Sequence, residues 1–283
     1  MIKSITRTFL SKYLLPKNRL GDKIYAFLIF LINHRRFPRK QKLFNDFLYN
    51  LKISDEMLNP LRIYVADKEF LKLFVKDTVG NQYNVETYAI LNKPSDVDTY
   101  NFPKNCCIKP THASGAFVIR NNNSSIDKNE IKSWFKLNHY LRSREVVYKS
   151  LTPKIIVEAI IFNYDNLIDY RFFCLNGVAK LIQVEKNNLN IGHKRYFLDK
   201  KWNKKNFSYN IPTDSNIPEK PDNLISMIEI AEKISLKFNF ARVDLYSNGK
   251  DILIGEITHC PVSGSGKFIP MSGEKEASKM LLD

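Results

Sequence analysis

Two carboxylates near the end of the chain have the placement of a divalent-metal site. Asp244 and Glu256 each lie inside an apolar run, and an Asn-Gly pair at 248–249 between the runs predicts a β-hairpin that would set the two acids face to face. Carboxylate oxygens suit Mg²⁺, and an unpaired carboxylate inside an apolar strand is costly. The alternative is an exposed hairpin in which Arg242 and Lys250 balance the acids.

A lysine followed by small residues predicts a phosphate-binding turn. Lys109 ends an apolar run, and Ala113, Ser114 and Gly115 follow it closely. The lysine would supply a point charge, and the small side chains would let backbone N–H groups approach phosphate oxygens. The spacing is not that of a Walker P-loop, and taken alone an ordinary hairpin turn is the better reading.

Two further charged residues lie in apolar runs in the middle of the chain. Glu158 lies within Val157–Ile161, and Arg171 closes the triplet that begins at Asp169. Because buried charges need partners, Glu158 would accept from an adenine amino group or a ribose hydroxyl, and Arg171 would face a phosphate. An internal ion pair between Glu158 and Arg171 is the competing interpretation.

Hairpin-built sheets must position these groups. The turn chemistry of Asn176-Gly177 predicts a tight hairpin, a polar loop is predicted at 94–98, and apolar residues at helical spacing predict helices at 67–76 and 224–238. We therefore expect an α+β chain with largely antiparallel sheets. Its strands are predicted at Cys106–Lys109, Ala116–Arg120, Ile155–Ile161, Tyr170–Cys174, Ala179–Val184, Val243–Tyr246 and Ile252–Ile254.

Composition limits the class of partner. The formal charge of +15 over 283 residues favours a nucleotide, an acidic glycan, nucleic acid or anionic lipid. No aromatic and basic platform stands out, so no specific nucleic acid is expected. Four cysteines without C-x-x-C spacing and the lack of a secretory leader predict a cytoplasmic protein.

The first 60 residues predict a basic helical region. Its apolar segment, 24–32, is shorter than the roughly 20 residues that span a bilayer. Lysines and arginines flank the segment on both sides, which suits either a helix lying on anionic lipid at the inner face of the membrane or a helix packed on the protein.

The order of these motifs resembles the ATP-grasp fold, and more narrowly its TupA-like branch, which is named for teichuronopeptide biosynthesis. The likeness runs from about Phe37 to Pro270 and implies two α/β subdomains, about 61–157 and 158–283, that grip ATP behind the helical region 1–60. It is carried in chain order by Asp67-Lys68, Lys109-Pro110, Val157-Glu158, Asp169-Tyr170-Arg171, Arg242-Val243-Asp244 and Glu256-x-Thr258.

The resemblance implies a role for each motif. Lys68 and Lys109 match lysines that reach the ATP phosphates, and Thr258 stands where the family commonly has a metal-binding asparagine. The implied nucleotide contacts are Lys68, Lys109, His112, Ser114, Gly115, Glu158, Ile160, Ile161 and Asp169. The implied catalytic residues are Lys109, Arg171 and Arg242, the metal ligands are Asp244, Glu256 and Thr258, and the substrate contacts are Ser263 and Gly264.

The resemblance also implies an activity. The chain is similar to amidoligases, which use ATP and Mg²⁺, or alternatively Mn²⁺, to join a carboxylate to an amine through an acyl phosphate. The implied partners are a uronic acid or an amino acid as carboxylate, an amine acceptor, and a glycan that is lipid-linked or free.

Two other classes stay open from the sequence. A sugar-nucleotide glycosyltransferase should carry an Asp-x-Asp metal motif, and Asp96-Val97-Asp98 has that form, although it lies in the predicted polar loop. A non-catalytic glycan-binding protein would need the basic charge but not Asp244 and Glu256.

Overall fold

The computed structural model describes residues 10–40, 43–162, 167–188, 192–213 and 216–283, and it is α+β as expected. Its helices are α1 (Arg19–His34), α2 (Phe44–Ile53), α3 (Pro60–Ala66), α4 (Lys68–Thr78), α5 (Pro94–Thr99), α6 (Lys128–Ser133), α7 (His139–Ser143), α8 (Leu224–Ser235) and α9 (Gly273–Leu282). Its strands are β1 (Thr87–Leu91), β2 (Cys106–Pro110), β3 (Val118–Arg120), β4 (Ile155–Glu158), β5 (Ile168–Leu175), β6 (Val178–Asn188), β7 (Gly192–Leu198), β8 (Ser208–Tyr209), β9 (Phe240–Ser247), β10 (Ile252–Thr258) and β11 (Phe268–Ile269).

Two antiparallel sheets carry the fold. The first has the strand order β1-β4-β2-β3 and the second β10-β9-β5-β6-β7, while β8 and β11 form a short ribbon. The expected antiparallel pairing is therefore confirmed. Asn176 and Gly177 form the tight turn between β5 and β6, with φ of 49° and 78°.

The two faces of the five-stranded sheet differ in what they pack against and in composition. Alternate residues such as Phe172 and Val243 pack with α8 in one core, while Phe173 and Phe240 pack in a second core with residues of α2 and α9. Side chains alternate along a strand, so Arg171 shares the face of Phe173, and the charged residues of β9 share the face of Phe240. The second face thus changes from apolar to charged along its length.

Helices α3 and α4 pack on the five-stranded sheet although they precede the four-stranded sheet in the chain. Leu71, Phe74 and Val75 of α4 belong to the core that contains α8. Asp67 caps α4 by accepting a hydrogen bond from the Glu69 backbone N–H at 2.9 Å. This cap sets Lys68 at the first position of the helix.

Several sequence predictions need correction. The prediction of a polar loop at 94–98 was wrong, because this segment is helix α5. Pro94 lies in the first turn of the helix, and the Asp96 side chain accepts hydrogen bonds from the backbone N–H groups of Asn92 and Lys93. Strand β4 ends at Glu158 rather than 161, and α8 ends at Ser235 rather than 238.

Helices α1 and α2 lie in the N-terminal region 1–60, with a non-helical connection at 35–40; residues 1–9 and 41–42 lie outside the described part. Tyr25, Ala26, Ile29 and Phe30 of α1 are buried against the protein. Among the described helices, none combines the length and the apolar character that crossing a membrane requires.

Candidate active site

A glycine bulge brings the two predicted metal ligands face to face. In a regular strand Ile254 and Glu256 would share one face. Gly255 is an extra residue between them, and the register shifts there so that Glu256 pairs directly with Asp244. Ile254 thus stays in the core while Glu256 joins the charged face. A β-carbon at Gly255 would lie 2.7 Å from the Tyr246 ring, so a side chain there would require the ring to move.

Arg242 bridges these carboxylates. Its guanidinium donates to both oxygens of Asp244, at 2.7 and 2.5 Å, and to Glu256 at 3.1 Å. The Thr258 hydroxyl accepts from Arg242 at 3.0 Å and lies 3.1 Å from the same Glu256 oxygen. The alternative of an exposed hairpin balanced by Arg242 and Lys250 is wrong for Asp244, which is only 4% exposed, and for Lys250, which lies in the solvent-facing turn. Its other part is confirmed, because Arg242 pairs with both acids.

The two acids differ in their proton affinity. Burial raises the pKa of Asp244 to about 7, against the opposing effect of Arg242 and Arg171. Burial also opposes ionisation of Glu256, but Arg242, Lys68 and Arg171 together lower its pKa to about 2. At neutral pH Glu256 is an anion, and a nearby cation would favour ionisation of Asp244.

Arg171 contacts three carboxylates, one on its own strand β5 and one on each of the neighbouring strands β6 and β9. Its nitrogens lie 2.8 Å from Asp169, 2.8 Å from Glu185 and 3.4 Å from Asp244. Burial alone would lower the pKa of Arg171, but these acids raise it above its ordinary value. The competing interpretation of an ion pair between Arg171 and Glu158 is wrong, since Arg171 pairs with carboxylates of its own sheet.

Two lysines hold Glu158 instead. Lys109 Nζ lies 2.5 Å from one carboxylate oxygen and Lys72 Nζ 2.6 Å from the other. Cys107 pairs with Glu158, so Lys109, two residues along β2, is its diagonal neighbour on the same face. Burial would raise the pKa of Glu158, but the two lysines lower it. Lys72 was missed, although it lies one helical turn after Lys68.

A cavity of about 400 Å³ opens between the two sheets at these residues. One part of its wall is apolar and the other is charged, which suits a purine with a phosphate chain. The apolar part contains Val85, Phe117, Ile119, Ile160, Ile161, Leu167 and Tyr246, and the charged part contains Lys68, Lys109, Glu158, Asp169, Arg171, Asp244 and Glu256.

A second cavity of about 400 Å³ adjoins the first and shares with it Ser114, Gly115 and Glu256. Gly115 has φ of +85°, a conformation that favours glycine. The remaining wall comes from α1, from the segment 139–148 and from the loop after β10. Arg242 of β9 and Thr258 of β10 also line it, and Ser263 belongs to the loop after β10.

Two predicted contacts line neither cavity. The His112 ring is 4% exposed, and burial lowers its pKa. Gly264 is buried, and a β-carbon there would lie 3.4 Å from Cys260 Sγ. The other predicted site residues therefore lie together around the two cavities, whereas His112 and Gly264 do not line either of them.

The geometry agrees with a family match that covers most of the chain. The family model described as TupA-like ATPgrasp matches residues 46–280. The chain belongs to this family. The resemblance that its motifs indicated is thereby confirmed, and the two-sheet architecture is the ATP-grasp fold.

No curated protein matches the chain. Solved structures similar to this TupA-like ATP-grasp protein include D-alanine-D-alanine ligase from Helicobacter pylori, at 15% identity and a TM-score of 0.42, covering 77% of this chain and 59% of that one. The ATP-grasp ligase PsnB, complexed with minimal precursor, Mg and ADP, has 9% identity and a TM-score of 0.41, covering 83% and 65%. D-cycloserine synthetase DcsG has 13% identity and a TM-score of 0.43, covering 83% and 77%. The chain thus spans less than two thirds of the first two proteins.

The donor set of this TupA-like ATP-grasp protein fits Mg²⁺. Asp244 and Glu256 present hard oxygen atoms opposite one another, and the Arg242 guanidinium contacts both carboxylates as a bound metal ion would. Within the described ranges, no group of three or more His, Cys, Asp or Glu residues forms a self-contained metal cage. An ion held by Asp244, Glu256 and the Thr258 hydroxyl would therefore take further oxygens from phosphate or water.

We expect the affinity for Mg·ATP to fall above pH 8. Burial, assisted by Lys109, lowers the pKa of Lys68 to about 8, so this lysine is charged below pH 8 and loses its charge as the pH rises. Glu158 raises the pKa of Lys109 despite burial, so Lys109 stays charged. Because phosphates bind the charged form, Kd should rise by up to about tenfold per pH unit above 8.

Calorimetric titration with Mg and a non-hydrolysable ATP analogue at pH 7, 8 and 9 measures this effect. Lys68→Arg stays charged throughout and should give a flat profile. If the arginine variant shows the same fall as the wild type, the titrating group is not Lys68.

Proposed function

We propose that this protein is an ATP-dependent ligase that activates a carboxylate as an acyl phosphate and joins it to an amine. The junction of the two cavities at Ser114, Gly115 and Glu256 carries the proposal. A nucleotide in the first cavity would direct its phosphate chain toward the charged wall, and a second substrate would reach the same point from the other side. Family membership supports the use of ATP.

Phosphoryl transfer would occur at this junction. Lys68 and Lys109 would bind phosphate oxygens, and an oxygen of the carboxylate substrate would attack the γ-phosphorus while the bond to the ADP oxygen breaks. Arg171 and Arg242 would offset charge on the transferring group. Mg²⁺, or Mn²⁺ in its place, would supply Lewis-acid stabilisation of the phosphoryl oxygens when it is bound.

Amide formation would follow in the second cavity. The amine nitrogen attacks the acyl carbon, phosphate leaves, and the nitrogen gives up a proton to solvent or to the departing phosphate. Water would compete for the acyl phosphate, so the Ser114-Gly115 loop would serve to exclude it. Ser114 and Gly115 are exposed and line both cavities, as such a loop requires.

The proposed substrates are a uronic acid of a bacterial surface polysaccharide and an amino acid or other amine, in the cytoplasm. The basic surface and the TupA-like resemblance support this choice. The glycosyltransferase alternative has little support: the Asp96 carboxylate accepts backbone N–H groups at the start of α5, and Asp98 pairs with Lys132 at 2.9 Å. A passive glycan-binding protein would not need the cluster around Asp244.

Hydroxylamine trapping tests the activity. With Mg·ATP, a panel of uronic and amino acids and hydroxylamine, the protein should release ADP and form a hydroxamate, because hydroxylamine attacks the acyl phosphate. ADP release with a stable phosphorylated product would indicate a kinase. Release of nucleotide from a UDP-sugar, without any hydroxamate, would favour the glycosyltransferase.

We also propose that α1 contacts an anionic membrane that carries a lipid-linked glycan. Its buried face packs on the protein, but Leu20, Ile24 and Ile32 are 64%, 37% and 41% exposed. Tyr13, Leu14 and Phe37, which flank α1 in the chain, are also exposed, at 74%, 59% and 70%. Exposed basic side chains, which suit anionic lipid headgroups, are those of Lys12, Lys17, Lys23, Arg35, Arg39 and Lys40.

Vesicle sedimentation tests this contact. The protein should bind vesicles containing phosphatidylglycerol, bind phosphatidylcholine vesicles less, and dissociate as salt is raised. The double variant Leu20→Gln/Ile24→Gln should lose most of the binding. Ile225→Gln is the matched control, since Ile225 is 69% exposed on α8. Equal binding to both kinds of vesicle at all salt concentrations would contradict the proposal.

A further inference from the structure

The second cavity contains a guanidinium that no described carboxylate pairs with. Arg142 lines this cavity and is exposed, and its side chain makes no hydrogen bond or ion pair within the described part of the chain. One of its nitrogens lies 3.9 Å from the position that a β-carbon on Gly115 would take. The guanidinium therefore lies against the loop shared by both cavities, beside the point where phosphoryl transfer would occur.

The other ionisable groups of this wall are satisfied or neutral. Arg242 is held by Asp244 and Glu256, as described above. Glu145 is 7% exposed, and burial raises the pKa of its carboxyl above the ordinary value despite the opposing effects of Lys52 and the hydroxyls of Ser263 and Ser143.

His139 adds no charge to the wall near pH 7. Burial, together with Arg142 and Lys68, lowers the pKa of His139 to about 4. Arg142 is therefore the lining cation that is available to a ligand in the second cavity.

Contacts with α1 hold the backbone around Arg142, although the Arg142 side chain has no polar partner in the described part of the chain. Arg144 is 1% exposed and pairs with Asp22 of α1 at 3.0 Å, and the Tyr140 hydroxyl donates to the same carboxylate at 2.7 Å. The Tyr25 hydroxyl donates to the Arg142 backbone carbonyl at 3.4 Å. Helix α1 thus holds the Arg142 segment in place, which supports a preformed binding site.

The remaining lining indicates the kind of molecule that Arg142 would hold. Tyrosine and histidine rings and several hydroxyl oxygens with acceptor capacity surround the cavity, and they suit a compact ligand that carries hydroxyl groups. The ring centroids of His139 and Tyr148 lie 4.4 Å apart, forming an aromatic surface. The hydroxyl groups are those of Tyr25, Ser143, Tyr148, Thr258, Ser263 and Ser265.

We infer that the second cavity is the site of the carboxylate substrate, that Arg142 binds its carboxylate before phosphoryl transfer, and that the substrate is a hydroxylated acid of the sugar-acid class. This inference rests on the proposed ligase function. A guanidinium recognises carboxylate and phosphate oxyanions alike. The carboxylate is favoured because Arg142 lines the second cavity and not the first, where the nucleotide phosphates would lie.

A binding experiment tests the inference without turnover. Glucuronate, galacturonate, glutamate, acetate and uncharged glucose are titrated into wild-type protein saturated with Mg and a non-hydrolysable ATP analogue. The sugar acids should bind most tightly, and Arg142→Gln should weaken their binding by about 10- to 100-fold, as loss of a charge-assisted contact does. Arg142→Lys should lose less, and Lys237→Gln, at an exposed cation outside both cavities, should lose nothing.

The outcomes separate this inference from the ligase proposal. If Arg142→Gln binds the sugar acids as the wild type does, or if no acid binds wild-type protein better than glucose, the inference is overturned. If Arg142→Gln instead weakens binding of the ATP analogue and spares the acids, Arg142 binds phosphate and the inference is also overturned. In each case hydroxamate formation by the wild type would leave the ligase proposal intact.

Discussion

Glu256→Gln should reduce ATP-dependent turnover by about 10²- to 10³-fold while the protein stays folded. The swap is nearly isosteric and removes one negative charge facing the proposed Mg²⁺. The Glu256 side chain is 40% exposed, and Arg242 retains both of its contacts with Asp244, so little of the buried network is broken. Asp244→Asn should lose turnover too. It removes a buried charge between Arg242 and Arg171, which costs about 3–5 kcal/mol of stability when a buried pair is broken.

ADP release and hydroxamate yield at saturating Mg·ATP measure the loss, and urea unfolding of each variant measures its stability. Lys250→Gln is the control, because it removes a charge from the same hairpin at an exposed position. Normal turnover in both acid variants, with loss in Lys250→Gln, would show that the metal site has been placed wrongly.

Local patterns predicted the elements that depend on local physics. Both residues of Asn176-Gly177 take the positive φ that a tight hairpin requires, and the sequence alone predicted that turn. The pairing of Asp244 with Glu256 followed from apolar runs on either side of a turn. The bulge at Gly255 that completes this pairing was not predicted, because one inserted residue changes the face of a strand without changing its apolar composition.

Contacts between distant segments were beyond the sequence. A buried carboxylate requires a cation, but the topology of the fold decides which cation lies next to it. The alternative partner considered for Glu158 was Arg171, which is wrong, and its partner Lys72 was missed. The second cavity was missed for the same reason. Arg142 and Tyr25 come from separate segments and form no motif, and only the packing of α1 against the segment 139–148 brings them together.

Lys109→Ala should abolish most of the hydroxamate yield, by about 10³-fold, while Lys72→Ala should retain most of it. Both lysines pair with Glu158, but Lys109 lines the first cavity, where the nucleotide would bind, and Lys72 does not. Each variant leaves one lysine on the carboxylate, and Lys72→Ala also loses a hydrogen bond to the Val85 carbonyl, so Lys72→Ala should lose at least as much stability as Lys109→Ala. Only Lys109→Ala also loses a positive charge that would face the phosphates during transfer.

The pair of variants separates phosphate binding from support of Glu158. Hydroxamate yield with Mg·ATP and the binding constant of a non-hydrolysable ATP analogue are measured for both, together with urea unfolding. If Lys72→Ala loses as much activity as Lys109→Ala at equal stability, the two lysines act by positioning Glu158, and the direct contact of Lys109 with phosphate is excluded. Lys72 also donates to the Val85 carbonyl at 2.6 Å, so its main contribution should appear in the unfolding curve and not in the chemistry.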